Sequence, residues 1–246
     1  MTDARQNNRL RSNSARQLLK SPSFTLTVIV TLALAVGANT AVFSVVDALL
    51  IQKLPYAQPE RLATVYASTQ KTPPMRRSID GEQWELLRDD VPSLISAVSS
   101  FSASAVNFQA GAYARPVREG RVSARYLEVL GVAPVLGRSF SIDEDRPGGA
   151  EVIVLGYSLW RTAFGGRAAI LGSTVRLKGE LYTVSGVLPE GATTPLHADV
   201  YTPLRPSRQG EGQSANDLSL VRLRDGATWQ QAADEMNRAF ASSART

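Results

Sequence analysis

Phe24–Val46 reads FTLTVIVTLALAVGANTAVFSVV, and around it Ser21–Val46 runs for 26 residues without Asp, Glu, Lys, Arg or His. At about 1.5 Å per residue, this apolar core makes a helix of roughly 35 Å. A hydrocarbon core is about 30 Å thick, so the segment can cross it with some tilt. No other stretch of the chain approaches this length, so one span is expected.

The flanks set its direction. Arg5, Arg9, Arg11, Arg16 and Lys20 precede the span, against Asp3 alone, and the residues just after it carry Asp47 and then Lys53. Bases stay on the cytoplasmic side, so these five set an N-terminus inside, in the cytoplasm, and place residues from about 52 onward outside. They also suit anionic headgroups, which makes membrane lipid an expected partner. The expected organisation is a basic cytoplasmic or interfacial segment over residues 1–21, a transmembrane helix over 22–51 and an outer domain over 52–246. A cleaved signal peptide is the competing reading, with Ala33-Leu34-Ala35 as its processing site. The long basic region and the apolar residues continuing through Val42, Phe43, Val45 and Val46 weigh against it.

Within the span, Ala33, Gly37 and Ala41 recur every four residues, with Ala48 seven further on and Asn39 and Thr40 in the outer half. Small residues let helices approach closely, and a buried amide can bond across the contact. Ala33, Gly37, Asn39 and Ala41 are therefore the candidate helix-packing residues. The alternative is that alanine and glycine are simply common in spans and Thr40 bonds its own helix.

The charge totals narrow the function. The net charge of +5 comes from 27 bases and 22 acids, but the first twenty residues hold five bases and one acid. The remaining body is nearly neutral, which argues against a basic face that reads nucleic acid. The absence of cysteine excludes disulfides, thiolate metal sites and thiol catalysis.

Beyond the span, short strands and helices alternate. Leu62–Ala67, Val117–Val122, Val152–Leu155, Val200–Leu204 and Leu218–Leu223 read as strands, and Ser96–Phe108 as strand or loop. Val175 and Leu177 lead through Gly179 to Leu181–Val184 as a hairpin. Asp80 with Gln83, and Thr228 with Gln231, have the spacing of capping boxes. Ser123 is placed to cap a helix carrying Tyr126, Leu127 and Leu130 and ended by Gly131; Asp143–Asp145 reads as a capped helix start after Ser141. Tyr157, Trp160 and Phe164 share one helix face, and Trp229, Ala232, Ala233, Met236 and Phe240 another, both read as core. The mixture favours an α+β fold.

No chemistry stands out. Gly186–Thr193 has the glycine spacing of a phosphate loop, but Ala192 stands where the lysine is needed. His197 is the only histidine, and there is no G-x-S-x-G elbow. No catalytic, metal or cofactor residues are assigned, no cofactor is expected, and the chain is not expected to be an enzyme. An anchored periplasmic enzyme would need a polar cleft with converging acid and base groups.

Several segments resemble one family in order along the chain. Arg16–Leu62 (RQLLKSPSFTLTVIVTLALAVGANTAVFSVVDALLIQKLPYAQPERL), Val122–Phe140, Glu144–Gly149, Val152–Gly166, Leu171–Gly191, DVYTPL and the final LVRLRDGATWQQAADEM are similar to the first span and periplasmic core domain of MacB-like ABC transporter permeases, of the duplicated, FtsX-like type. The resemblance implies an outer domain that transmits motion or binds partners, with ATP hydrolysis on a separate subunit and further permease chains alongside. It also implies three later spans, so the chain is expected to be a truncated, split or stand-alone form whose outer domain is incomplete at its C-terminal end. The alternative is an anchored adaptor module without transport activity.

Overall fold

A computed structural model of the protein describes residues 22–46, 56–68, 76–205 and 217–243. Arg5, Arg9, Arg11, Arg16, Lys20, Asp47, Ala48 and Lys53 lie outside the described residues. The chain divides into two units, Met1–Leu54 and Pro55–Thr246.

In the first unit, helix α1 spans Pro22–Val46, 25 residues with proline at the position where a missing N–H costs nothing. Thr25–Ser44 is long and apolar enough to cross a membrane. Four of its hydroxyls are satisfied along the helix itself. Thr27 donates to the Ser23 carbonyl at 2.9 Å, and Thr31, Thr40 and Ser44 each donate to the carbonyl four residues back at 2.8 Å. The span can therefore carry these polar groups in lipid without leaving them unpaired.

The second unit is an α+β domain, as the residue pattern predicts. Its elements are β1 (Leu62–Ser68), β2 (Arg76–Ser78), α2 (Gly81–Asp89), β3 (Leu94–Ser100), β4 (Ser104–Ala110), β5 (Tyr113–Val122), α3 (Tyr126–Leu130), β6 (Leu136–Gly137), β7 (Val152–Leu155), α4 (Tyr157–Phe164), β8 (Thr174–Leu177), β9 (Glu180–Val187), β10 (Val200–Pro203), β11 (Asp217–Leu223) and α5 (Trp229–Ser243).

The strands build two connected regions. In one, β11 lies between β1 and β3 and is antiparallel to both, so β1 and β3 run parallel with α2 as the crossover. Helices α2 and α5 cover one face, where Trp84, Leu87, Leu94, Val98, Val221 and Ala232 are buried together. Alternation along the strands sends Ala97 and Leu220 to the other face, against Tyr126, Leu127 and Leu130 around α3. In the other region the pairings β5–β4–β8–β9–β7–β10 return to β5, closing a ring of six strands. Phe108, Val117, Ile153, Leu155, Leu177 and Val200 form its core with Leu159 and Trp160 of α4. Glu119, 4 % exposed, ties the closure, accepting from Thr202 of β10 at 2.8 Å and from Lys178 at 2.9 Å.

Local chemistry explains the hairpin and the first cap. Lys178 and Gly179 both have positive φ, 53° and 92°, matching the twist of a two-residue hairpin turn. Asp80 and Gln83 exchange both bonds of a capping box. Ser96–Phe108, read as strand or loop, holds both: parts of β3 and β4 on either side of a bend at 101–103. Other local expectations need correction. Ser123 does not cap α3 through its side chain, because its Oγ accepts from the Val98 N–H at 3.0 Å instead. Ser141 and Glu144 do exchange capping bonds, but the chain makes one turn and no helix follows, as Pro147-Gly148-Gly149 breaks it. Thr228 accepts from the Gln231 N–H at 3.2 Å, whereas the Gln231 amide turns away to Glu235.

Candidate functional site

The four helix-packing candidates do not share one face. At about 100° per residue, Ala33, Gly37 and Ala41 fall within about 80° of one another, while Asn39 lies about 200° from Gly37. All four are exposed, and a Cβ built on Gly37 meets nothing within 4 Å. Thr40 bonds the Val36 carbonyl, so it has a partner within its own helix.

The feature most directly related to anchoring is where the chain enters the outer domain. The residues from Ala57 to Arg61 are held by two side chains distant in sequence, Arg222 and Trp229, and by Arg61 itself. Arg222 of β11, 9 % exposed, donates from Nε to the Val129 carbonyl at 2.6 Å, and from Nη1 to the carbonyls of Ala57 at 2.8 Å and Gln58 at 3.4 Å. Trp229, at the start of α5, donates from its indole to the Glu60 carbonyl at 3.0 Å. Arg61 reaches back to the β11–α5 turn, donating to the Leu223 carbonyl and to Asp225. Asp225 is almost fully exposed, so that ion pair contributes little and the carbonyl bond does more.

Local sequence sets this geometry. Gln58 adopts a left-handed φ of 48°, and the chain then makes a 3-10 turn at Pro59–Arg61. Gly131 ends α3 at φ 70°, where a Cβ would sit 3.1 Å from the Ala57 Cβ. Only glycine lets the helix end come this close at little cost. The Val129 carbonyl belongs to the last turn of α3, where a cation is favoured. The bonds of Arg222 go to main-chain carbonyls rather than to a carboxylate. Burial and the neighbouring Arg61 lower its pKa from the ordinary arginine value, although a guanidinium stays protonated.

Sequence reading missed this clamp. Its one visible signal is Arg222 within Leu220-Val221-Arg222-Leu223, a cation among apolar neighbours at the end of the strand. Trp229 reads as core but is partly exposed, with its indole N–H used as a tether. His197 lies in a turn before β10 with φ 47°. Among the described residues, no group of three or more His, Asp or Glu is placed to hold a metal ion.

A family model described as the MacB-like periplasmic core domain matches residues 25–239. Among solved structures, a domain described as a permease protein of Porphyromonas gingivalis is similar with a TM-score of 0.55 at 14 % identity, covering 77 % of this chain and 84 % of that one. The periplasmic region of MacB from Actinobacillus actinomycetemcomitans gives 0.54 at 15 % identity, covering 74 % and 84 %. At these identities the likeness is one of fold. No curated protein matches the chain.

Proposed function

The chain belongs to the MacB-like periplasmic core domain family, the outer domains of ABC-type transporter permeases, and we propose that it works as a membrane-anchored permease component that passes motion between its span and its outer domain. Helix α1 sits in the inner membrane with the N-terminal bases in the cytoplasm. Residues 52–246 form the periplasmic domain. A separate subunit hydrolyses ATP, and further permease chains pack against the Ala33, Gly37 and Ala41 face or bond the Asn39 amide. The chain itself carries no catalytic step.

The observation that supports transmission is the clamp. A flexible tether would need no buried arginine, whereas here the segment after the span is bonded at Ala57, Gln58 and Glu60 to β11 and α5. Displacement of the entering chain is thereby delivered to the strand that lies between β1 and β3. The test is purification of the full chain in mild detergent from its native host, with ATP hydrolysis measured on the isolated complex. A copurifying ATPase subunit whose activity depends on this chain is expected. Recovery of the chain without an ATPase or a second permease chain would favour the adaptor reading.

A further inference from the structure

A cleft of about 380 Å³ opens between the end of α2, the edge of β3 and the turn after Ser141, lined by residues including Trp84, Ser96, Ser123, Arg125 and Arg146. That size falls within the range of small-ligand sites, roughly 300–1,000 Å³. It exists because β5 ends early. One edge of β3 is paired with β11 along its whole length, but the other meets β5 only at Ser99 and then Ser123. Ser123 takes both main-chain groups of Val98, accepting from its N–H at 3.0 Å and donating to its carbonyl at 2.9 Å. Alternation along a strand turns the main-chain groups of Ser96 to that same side, past the last of these bonds.

The polar groups around the cleft are used unevenly. Its carboxylates are occupied: Asp145 accepts from the N–H groups of Ala124 and Arg205 at 2.8 Å each, and Asp89 holds Arg88 at 2.8 and 2.7 Å. Its buried donors are not. Trp84 Nε1 and Ser96 Oγ have no hydrogen-bond partner among the described residues, although the two side chains are only 4 % and 5 % exposed. A buried donor without a partner is costly and uncommon, which marks a place where an acceptor belongs. At the rim, Arg125 reaches Glu128 only at 3.8 Å and Arg146 reaches Asp143 at 3.3 Å, both through exposed side chains. Guanidiniums held this loosely can turn to a planar anion with little loss.

We propose that this cleft binds a carboxylate, with Arg125 and Arg146 engaging its charge and the Trp84 and Ser96 donors forming the floor. The inference does not depend on the transport role, because the site lies within the outer domain and its ligand is defined by hydrogen-bond chemistry. Two sources supply such a group, a peptide C-terminus and an acidic side chain, and the experiment separates them.

The full chain in detergent is titrated by calorimetry with acetyl-Leu-Leu bearing a free C-terminus, with acetyl-Leu-Glu-amide and with acetyl-Leu-Leu-amide, and inorganic phosphate is added as a competitor. Binding of either carboxylate peptide, at least tenfold tighter than the uncharged amide, is expected. Whichever binds identifies the source. An Arg125→Gln/Arg146→Gln double variant should lose at least tenfold in affinity without a change in melting temperature, since neither arginine is buried. A Trp84→Phe variant, which keeps an aromatic ring but removes the donor with the five-membered half of the indole, should weaken binding by a smaller factor. Equal binding of the amide, no binding of any peptide at millimolar concentration, wild-type affinity in the double variant, or displacement by phosphate at equal concentration would each overturn the assignment.

Discussion

Replacing Arg222 with methionine removes the centre of the clamp while keeping most of the side-chain volume. The wild-type guanidinium makes two short bonds, to the carbonyls of Val129 and Ala57, and one long bond to that of Gln58. Bonds from a charged donor contribute about 1.5–3 kcal/mol each, so the two short ones are worth about 3–6 kcal/mol gross. Against this stands the desolvation of a cation that has no opposing carboxylate and whose Nη2 has no hydrogen-bond partner among the described residues, a cost of several kcal/mol. The net loss on Arg222→Met is therefore about 1–3 kcal/mol. For a domain of this size, each kcal/mol lowers the melting temperature by about 2–4 °C, giving a fall of about 2–12 °C. The assay is thermal unfolding of the full chain in detergent, followed by amide hydrogen exchange. Exchange should speed up most over residues 56–61, where the Arg61 N–H to Gln58 carbonyl bond depends on the turn staying in place. Arg222→Lys should give an intermediate result, since an ammonium cannot present the same planar fork. An Arg222→Met variant as stable as wild type, with unchanged exchange over 56–61, would refute the clamp.

Two further outcomes follow from the same reasoning. Glu144 is held near a pKa of about 2, chiefly by the Arg138 guanidinium and also by the Ser141 N–H, while burial opposes the shift. A depressed carboxylate contributes stability that is present above its unfolded pKa and is lost as pH falls towards the folded value. Wild type should therefore lose more stability than Glu144→Gln between pH 4.5 and about 2 in denaturant titrations, and parallel curves would contradict this. In the span, a Cβ on Gly37 meets nothing within 4 Å, and Gly37→Leu should favour the isolated helix by up to about 1 kcal/mol. Loss of assembly in detergent cross-linking would then report a neighbouring helix on the small-residue face, whereas unchanged assembly would remove that face from the account.

What the sequence revealed, and what it concealed, divides by range. The span follows from composition alone, the Lys178-Gly179 hairpin from two adjacent residues, and the Asp80 cap from a spacing of three. The ring closes because β10 pairs with β5, whose register sets Val200 against Glu119, and nothing local announces a partner so far away. The insertion of β11 between β1 and β3 is equally non-local. Ser123 shows how tertiary structure overrides a local preference. Its hydroxyl lies three residues before a helix, yet the open edge of β3 offers the Val98 N–H, and the side chain goes there. The Asp143–Asp145 cluster had a sound capping signal but was stopped after one turn. Arg222 was visible as a cation among Leu220, Val221 and Leu223, but its carbonyl partners lie in two other segments, so its role appears only when those segments are folded against it.

The central claim is that a single span places this domain outside the membrane, with the basic segment inside. The chain has no cysteine, so single substitutions give a clean readout. Ser12→Cys in the basic segment and Ser102→Cys in the exposed bend after β3 can be treated, in spheroplasts, with a membrane-impermeant maleimide. The account predicts rapid labelling at position 102 before lysis and labelling at position 12 only after it. Labelling at position 12 in intact spheroplasts, or protection at position 102 until lysis, would contradict it.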